Sequence, residues 1–307
     1  MSEQKVALGK RLFFDTRLSV NGKASCSSCH DPTRAYTDGR PVAIGATGEA
    51  LPHSAMALVN VAYNISYGWT KPELASLEAQ MLEPMLNEHP IELGLHGRQQ
   101  LVCDQLAEDA DYRAAFARSF PDSPTPITFE HIVQAIASFE RTLISGHSPF
   151  DRYAFEGEHT AISAQAKRGM ALFYSPRSGC GACHSGFNFS GNFKDTAGAT
   201  GKPSFANNGT TNQPMKVPTL RNIALTAPYM HDGRFPTLDA VLEHYAKVAE
   251  NLRATTRPRG KPRQHDNFPD VRLRQFELSP QERQDLIAFL QTLTDEGFTR
   301  GQPPSPR

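Results

Sequence analysis

Two copies of a C-x-x-C-H pattern are the most chemically specific feature of the sequence. Their members are Cys26, Cys29 and His30 in the first copy, and Cys180, Cys183 and His184 in the second. Two thiols at this spacing beside a histidine typically attach a c-type haem, with thioether bonds from the sulfurs and an iron ligand from the imidazole. A redox dithiol or half of a zinc site uses a similar spacing. Two copies of the whole pattern favour two covalent haems c. We expect the fifth cysteine, Cys103, to be a small buried apolar side chain.

An internal repeat precedes the two motifs. Residues 8–13 (LGKRLF) lie before the first and residues 168–173 (RGMALF) before the second, so in both copies a glycine is followed at +3 and +4 by Leu-Phe. A short helix with an aromatic end, followed by C-x-x-C-H, is typical of the start of a cytochrome c domain. Such a domain closes with another helix, and residues 279–293 carry a capping box and an apolar stripe.

The remaining apolar pattern is also helical, and no segment alternates as a strand does. The spacing predicts helices over residues 73–85, with Pro84 bending or ending the first, and over residues 130–144. We therefore predict an all-α fold with two cytochrome c-type domains, residues 1–155 and 156–307, each carrying one covalently attached haem c. Long loops are expected at residues 33–53, 185–215 and 253–270.

Composition narrows the set of partners. The chain has 307 residues, and its 32 Lys and Arg balance its 32 Asp and Glu, so its overall charge gives no reason to expect nucleic acid. No apolar run approaches the roughly 18 residues that a membrane span needs. Because haem c is attached outside the reducing cytosol, we expect a periplasmic location. Residues 1–4 enter an amphipathic segment directly, so we expect that the signal peptide is not part of this sequence.

Residues 217–233 (VPTLRNIALTAPYMHDG) and 237–245 (TLDAVLEHY) closely resemble the bacterial di-haem cytochrome c peroxidase family, which includes MauG. The resemblance covers most of the chain. In the peroxidases, a Met at the last of these positions is the sixth ligand of the electron-transfer haem. Here the position holds Tyr245, as in the MauG-like branch, and its neighbour His244 is the alternative ligand. A hard tyrosine oxygen lowers the reduction potential that a soft thioether would raise. The C-terminal haem is therefore expected to be six-coordinate.

The resemblance also implies the catalytic side of the N-terminal, peroxide-reactive haem. Residues 77–84 (LEAQMLEP) and 90–94 (PIELG) resemble the family's distal motif. Gln80 then corresponds to the pocket glutamine and Glu92 to the acid–base glutamate, whose pKa a haem pocket would raise by desolvation. The connection between the two segments is longer than in the family, which leaves Glu88 and His89 as further candidates.

The peroxidases block this haem at rest with a histidine in an Ile-Gly-His stretch. Here Ala46 stands at that position, so we expect an open iron, with His53 as the alternative ligand. Residues 87–94 further resemble the MbnH-like branch, whose members convert a partner's tryptophan to kynurenine.

Two other positions take their meaning from the family. Trp69 is the only tryptophan; a lone Trp is more often a core residue, but the family places a bridging Trp between the haems in this region. The family also holds a calcium ion between the haems, and Asn60, Thr226 and Pro228 match its ligands, with oxygen atoms that suit Ca²⁺.

The leading hypothesis is a MauG-like di-haem oxidoreductase. It would use hydrogen peroxide to form a high-valent di-haem state and oxidatively modify a residue, a Trp, on a partner protein. One alternative is a cytochrome c peroxidase that takes electrons from a small cytochrome, which Met ligation of the second haem would favour. Another is a non-enzymatic di-haem electron carrier, which predicts two six-coordinate haems. Since the chain has no second Trp, the charge would leave through Tyr, Phe or direct contact.

Overall fold

The computed structural model describes residues 1–191, 205–206, 214–254 and 276–299. The helices of these residues are α1 (Glu3–Phe13), α2 (Leu77–Leu86), α3 (Gln99–Glu108), α4 (Ala110–Ser119), α5 (Phe129–Glu140), α6 (Pro149–Phe155), α7 (Ala164–Phe173), α8 (Leu238–Ala254) and α9 (Pro280–Gln291). Two short strands, β1 (Phe205–Ala206) and β2 (Met215–Lys216), pair antiparallel. The predicted all-α fold is confirmed. Much of the predicted loops 185–215 and 253–270 lies outside the described residues.

In the N-terminal half, α1 packs across α5. Ser2 caps α1 by accepting a hydrogen bond from the Lys5 N–H at 3.3 Å, and the helix buries its Leu-Phe end. The two backbones meet at Gly9, where a Cβ atom would lie 1.8 Å from the carbonyl oxygen of Ala135. Only glycine permits this crossing, because any side chain would overlap the α5 backbone.

The C-terminal half repeats the arrangement. Ser163 caps α7, as the sequence predicts, by accepting a hydrogen bond from the Ala166 N–H at 3.1 Å. This helix crosses α9 at Gly169, where a Cβ atom would lie 1.9 Å from the carbonyl oxygen of Asp285. The predicted capping box at the start of α9 is present, between Ser279 and Glu282. The internal repeat is therefore a repeat of the same helix crossing.

The other predicted helices differ from the structure at their ends. The segment predicted over residues 73–85 begins only at Leu77, after the cap Ser76, and Pro84 lies inside α2. The segment predicted to residue 144 ends at Glu140. Cys103 lies on α3 and is 5% exposed, which confirms it as a buried apolar side chain.

Each half has an apolar core, and one side chain of each half contributes to the core of the other. Phe150, on α6, packs in the C-terminal cluster. Phe298 packs in the N-terminal cluster, with its ring 6.3 Å from that of Tyr36. The boundary near residue 155 remains a prediction. A fully buried ion pair joins Arg221 to Asp151 at 2.6 Å, and it holds residues 217–233 against α6.

Candidate active site

The first C-x-x-C-H motif opens onto a cavity in the N-terminal half, which Cys26, Cys29 and His30 all line. The Nδ1–H of His30 donates a hydrogen bond to the carbonyl oxygen of Tyr36 at 2.9 Å. Because a carbonyl can only accept, this bond fixes the tautomer and leaves Nε2 available to bind a metal. Burial lowers the pKa of His30, which favours the neutral imidazole that ligation requires.

The second motif repeats this geometry in part, because Cys183 does not line the second cavity. Cys180 and His184 line a cavity in the C-terminal half, and the Nδ1–H of His184 donates to the carbonyl oxygen of Phe189 at 2.8 Å. No disulfide joins any of the five cysteines. Burial raises the pKa of the Cys29 thiol to about 11, which is opposite to the low pKa of a reactive redox dithiol. Both cavities therefore fit one covalent haem c each.

The two distal residues predicted for the N-terminal cavity are brought together. Gln80, on α2, and Glu92 line the cavity that His30 lines. Burial raises the pKa of the Glu92 carboxyl. The alternative Glu88 does not line this cavity; its side chain is 65% exposed and lies 3.8 Å from His96 Nε2. His89 does not line it either.

The structure separates the two candidate ligands on α8. Tyr245 lines the C-terminal cavity together with His184. His244 does not line it; its ring lies 4.9 Å from the ring of Phe235. Met230, in the segment before α8, also lines this cavity.

One wall separates the two cavities. Its residues line both of them: Ser54, Ala55, Met56, Ala57, Asn64, Trp69 and Lys216. The indole Nε1–H of Trp69 donates a hydrogen bond to the carbonyl oxygen of Ser54 at 3.1 Å, which fixes the ring in the wall. Trp69, which the family resemblance predicts to bridge the haems, thus lies between the two cavities.

Two histidine rings flank the indole. His53, which lines the N-terminal cavity, has its ring 6.3 Å from that of Trp69. His231, which lines the C-terminal cavity, has its ring 6.5 Å from the indole and 5.4 Å from the His53 ring. Burial lowers the pKa of both imidazoles, which favours their neutral forms.

Comparisons with known proteins agree with this geometry. The profile of the di-haem cytochrome c peroxidase family matches residues 3–160, and that of cytochrome c matches residues 166–294. This chain belongs to the di-haem cytochrome c peroxidase family. It is therefore a peroxide-dependent di-haem oxidoreductase with two covalent haems c.

Individual members of the family are similar along most of the chain. The methylamine utilization protein MauG of Methylorubrum extorquens is 38% identical, over 96% of this chain and 80% of that protein. The cytochrome c peroxidase Ccp of Escherichia coli is 35% identical, over 78% of this chain and 52% of that protein. The crystal structure of a MauG-like protein associated with microbial copper homeostasis superposes with a TM-score of 0.88 at 35% identity, covering 97% of this chain and 91% of that one.

The three residues predicted to hold calcium differ in their surroundings. Thr226 and Pro228 line the C-terminal cavity, but Asn60 lines neither cavity. Its amide is paired with the backbone of Ser145, donating from Nδ2 at 2.7 Å and accepting at Oδ1 at 2.8 Å. Among the described residues, no group of three His, Cys, Asp or Glu could hold a metal ion. Calcium binding by Asn60, Thr226 and Pro228 stays a prediction.

Four charged residues that line the cavities were not predicted: Asp38, Arg40, Glu140 and Lys216. Glu140, at the end of α5, lines the N-terminal cavity, and burial raises its pKa to about 8. Lys216 is in the wall between the cavities. The signal for Glu140 was available, because it is a lone carboxylate following the apolar stripe of its helix. Lys216 lies in the two-residue strand β2, which is too short for a periodic pattern to indicate burial.

No helix in the described part of the chain is both long and apolar enough to cross a lipid bilayer.

Proposed function

We propose that this di-haem enzyme acts as a MauG-like oxidant, which uses hydrogen peroxide to modify a residue, a Trp, on a partner protein. The observation that carries the proposal is the position of Tyr245 in the C-terminal cavity with His184, while His244 packs outside it. A phenolic oxygen on the second iron favours its oxidised states. Both oxidising equivalents of one peroxide can then be kept until a protein substrate supplies the electrons.

We propose that residues of the N-terminal cavity transfer the proton of the peroxide from one of its oxygen atoms to the other. Haem bound at His30 supplies the metal that binds peroxide and takes up its oxidising equivalents. The Glu92 carboxylate accepts the proton from one peroxide oxygen and returns it to the other as the O–O bond breaks. The Gln80 amide donates a hydrogen bond that orients the same oxygen. An acid–base group works best when its pKa lies near the operating pH. The raised pKa of Glu92 moves this carboxyl towards that condition.

The proposal also covers electron transfer between the two cavities and the cellular location of the enzyme. Trp69 lies in the wall that both cavities share, where its indole can pass an electron between the haems. His53 lies at the edge of this wall, and we propose that the N-terminal iron is open at rest. Attachment of haem c through four thioethers supports a periplasmic location, where the partner protein would be found.

The test is spectroscopy of the resting, fully oxidised holoprotein, followed by peroxide without any reductant. We expect one high-spin and one low-spin haem, and immediate consumption of about one equivalent of peroxide. Tyr245→Met should raise the potential of the C-terminal haem and shorten the lifetime of the oxidised protein. His244→Phe is the matched control, because it changes the adjacent residue outside the cavity, and it should leave both properties unchanged.

A conventional cytochrome c peroxidase is the second candidate, because the thioether of Met230 also lines the C-terminal cavity. It predicts two low-spin haems and no reaction with peroxide until one haem is reduced. If Met230→Leu alters the low-spin spectrum while Tyr245→Phe does not, this second function replaces the first.

A further inference from the structure

The wall between the two cavities contains one charged side chain. Six of its seven residues are neutral, and the seventh is Lys216, which is 5% exposed. Its backbone N–H donates a hydrogen bond to the carbonyl oxygen of Trp69 at 2.7 Å. The end of β2 is thereby fixed to the backbone of Trp69, and Lys216 lines both cavities.

This ammonium has no carboxylate partner among the described residues. Asp38 lines the C-terminal cavity, and Glu140 and Glu92 line the N-terminal cavity. None of them affects the pKa of Lys216, which burial alone lowers to about 8. An isolated buried ammonium costs several kcal/mol unless a counter-charge is present. Because Lys216 lines both cavities, an anionic group of a bound cofactor could supply the counter-charge that the described residues do not.

Haem brings this charge, because each haem carries two propionate carboxylates. We propose that Lys216 is the shared counter-ion of propionates from both haems, and that its charge raises the reduction potentials of both haems together. A fixed positive charge favours the iron state with the extra electron, and it acts strongly inside a low-dielectric wall. Lys216 is a positioning and tuning residue, and at the C-terminal haem its effect opposes the lowering of the potential that is proposed for Tyr245. The inference rests on haem in both cavities and does not depend on the protein substrate.

The test is a spectroelectrochemical titration of the holoprotein, without peroxide or any partner. Lys216→Met and Lys216→Gln remove the charge, Lys216→Arg keeps it, and Lys10→Met removes a lysine that is exposed on α1. In both neutral variants we expect each one-electron reduction equilibrium to become about tenfold less favourable, which is about 59 mV per haem. The Arg and Lys10 variants should stay close to the wild type.

Unchanged potentials in the neutral variants would overturn the proposal, and so would a shift confined to one haem, because the charge would then not be shared. If the neutral variants fail to incorporate haem while Lys216→Arg incorporates both, the wall requires the charge and the proposal stands. If all three variants fail alike, the position tolerates no change of shape and the role of the charge is rejected. None of these outcomes depends on peroxide chemistry, so they are distinct from failure of the proposed function.

Discussion

The indole nitrogen of Trp69 donates a hydrogen bond to the carbonyl oxygen of Ser54 at 3.1 Å, and both residues line both cavities. This hydrogen bond joins two segments of the wall and fixes the orientation of the indole ring. A buried Trp N–H usually finds a hydrogen-bond partner, so the bridging role is supported by the place of the indole between the two cavities rather than by the bond itself.

Replacement of this indole tests its role between the haems. Trp69→Phe keeps an aromatic ring but removes the hydrogen bond and raises the energy needed to take an electron from the ring. We expect near-normal resting spectra but a weaker near-infrared absorption after peroxide, since that absorption reports charge shared between the haems. Tyr67→Phe, a change beside the N-terminal cavity but outside the shared wall, is the control. Equal absorption in Trp69→Phe and the wild type would refute the bridging role.

The acid–base role of Glu92 predicts both a rate and a pH profile. Glu92→Gln should slow the reaction of the oxidised protein with peroxide by about 10²- to 10⁴-fold, measured by stopped-flow absorption. Because burial raises the pKa of Glu92 above its usual value of 4.5, the wild-type rate should fall as the pH decreases through this raised pKa, and the variant should lose this limb. Glu88→Gln, at an exposed carboxylate outside the cavity, should change neither.

Glu140 predicts a pH dependence of stability. Its folded-state pKa is about 8, raised from 4.5 mainly by burial, so the folded protein keeps a proton that the unfolded chain releases. The contribution of this group to the free energy of unfolding is fully present below about pH 4.5 and is lost as the pH rises through about 8, with a slope of at most about 1.4 kcal/mol per pH unit.

Urea unfolding of the holoprotein between about pH 5 and about pH 8 measures this slope. Glu140→Gln should flatten it. Glu130→Gln, at an exposed position of the same helix, should keep it. A wild-type slope that Glu140→Gln does not change would show that another group is responsible.

The helix crossings predict a strong effect of one methyl group. In Gly9→Ala the new Cβ would lie 1.8 Å from the Ala135 carbonyl oxygen, so α1 must move away from α5. We expect a loss of about 1–3 kcal/mol or more in the free energy of unfolding, and the same in Gly169→Ala. Gly146→Ala is the control, because its Cβ would meet only the Phe187 ring at 3.6 Å. Similar stabilities of the three variants would exclude close packing at these crossings.

Much of this molecule could be predicted from the sequence because its strongest signals are local. The C-x-x-C-H motifs, the Ser163 and Ser279 caps and the helical periodicity depend on residues a few positions apart. The repeated glycines were also visible at Gly9 and Gly169, but their reason was not, since it depends on the backbone of a helix more than a hundred residues away in both cases.

Site residues are easier to predict where they belong to a continuous family motif. They are harder to predict where distant segments must fold together to form the site. Gln80 and Glu92 line one cavity, although a longer connection separates them. Calcium binding by Asn60, whose amide pairs with the backbone of Ser145, stays a prediction. Lys216 was missed because its burial results from the meeting of β2 and the segment that ends at Trp69, and neither segment has a pattern that shows the other.

The composition of the wall limits how such an enzyme can be rebuilt. Ser54 and Trp69 come from the first half of the chain and Lys216 from the second, yet each cavity uses all three. Expression of either half alone would leave its macrocycle open on one side to solvent. In a chimera that joins the N-terminal half of one relative to the C-terminal half of another, the wall residues of the two halves would have to fit each other. Because each cavity needs wall residues from both halves, the two halves are expected to work only as parts of one chain.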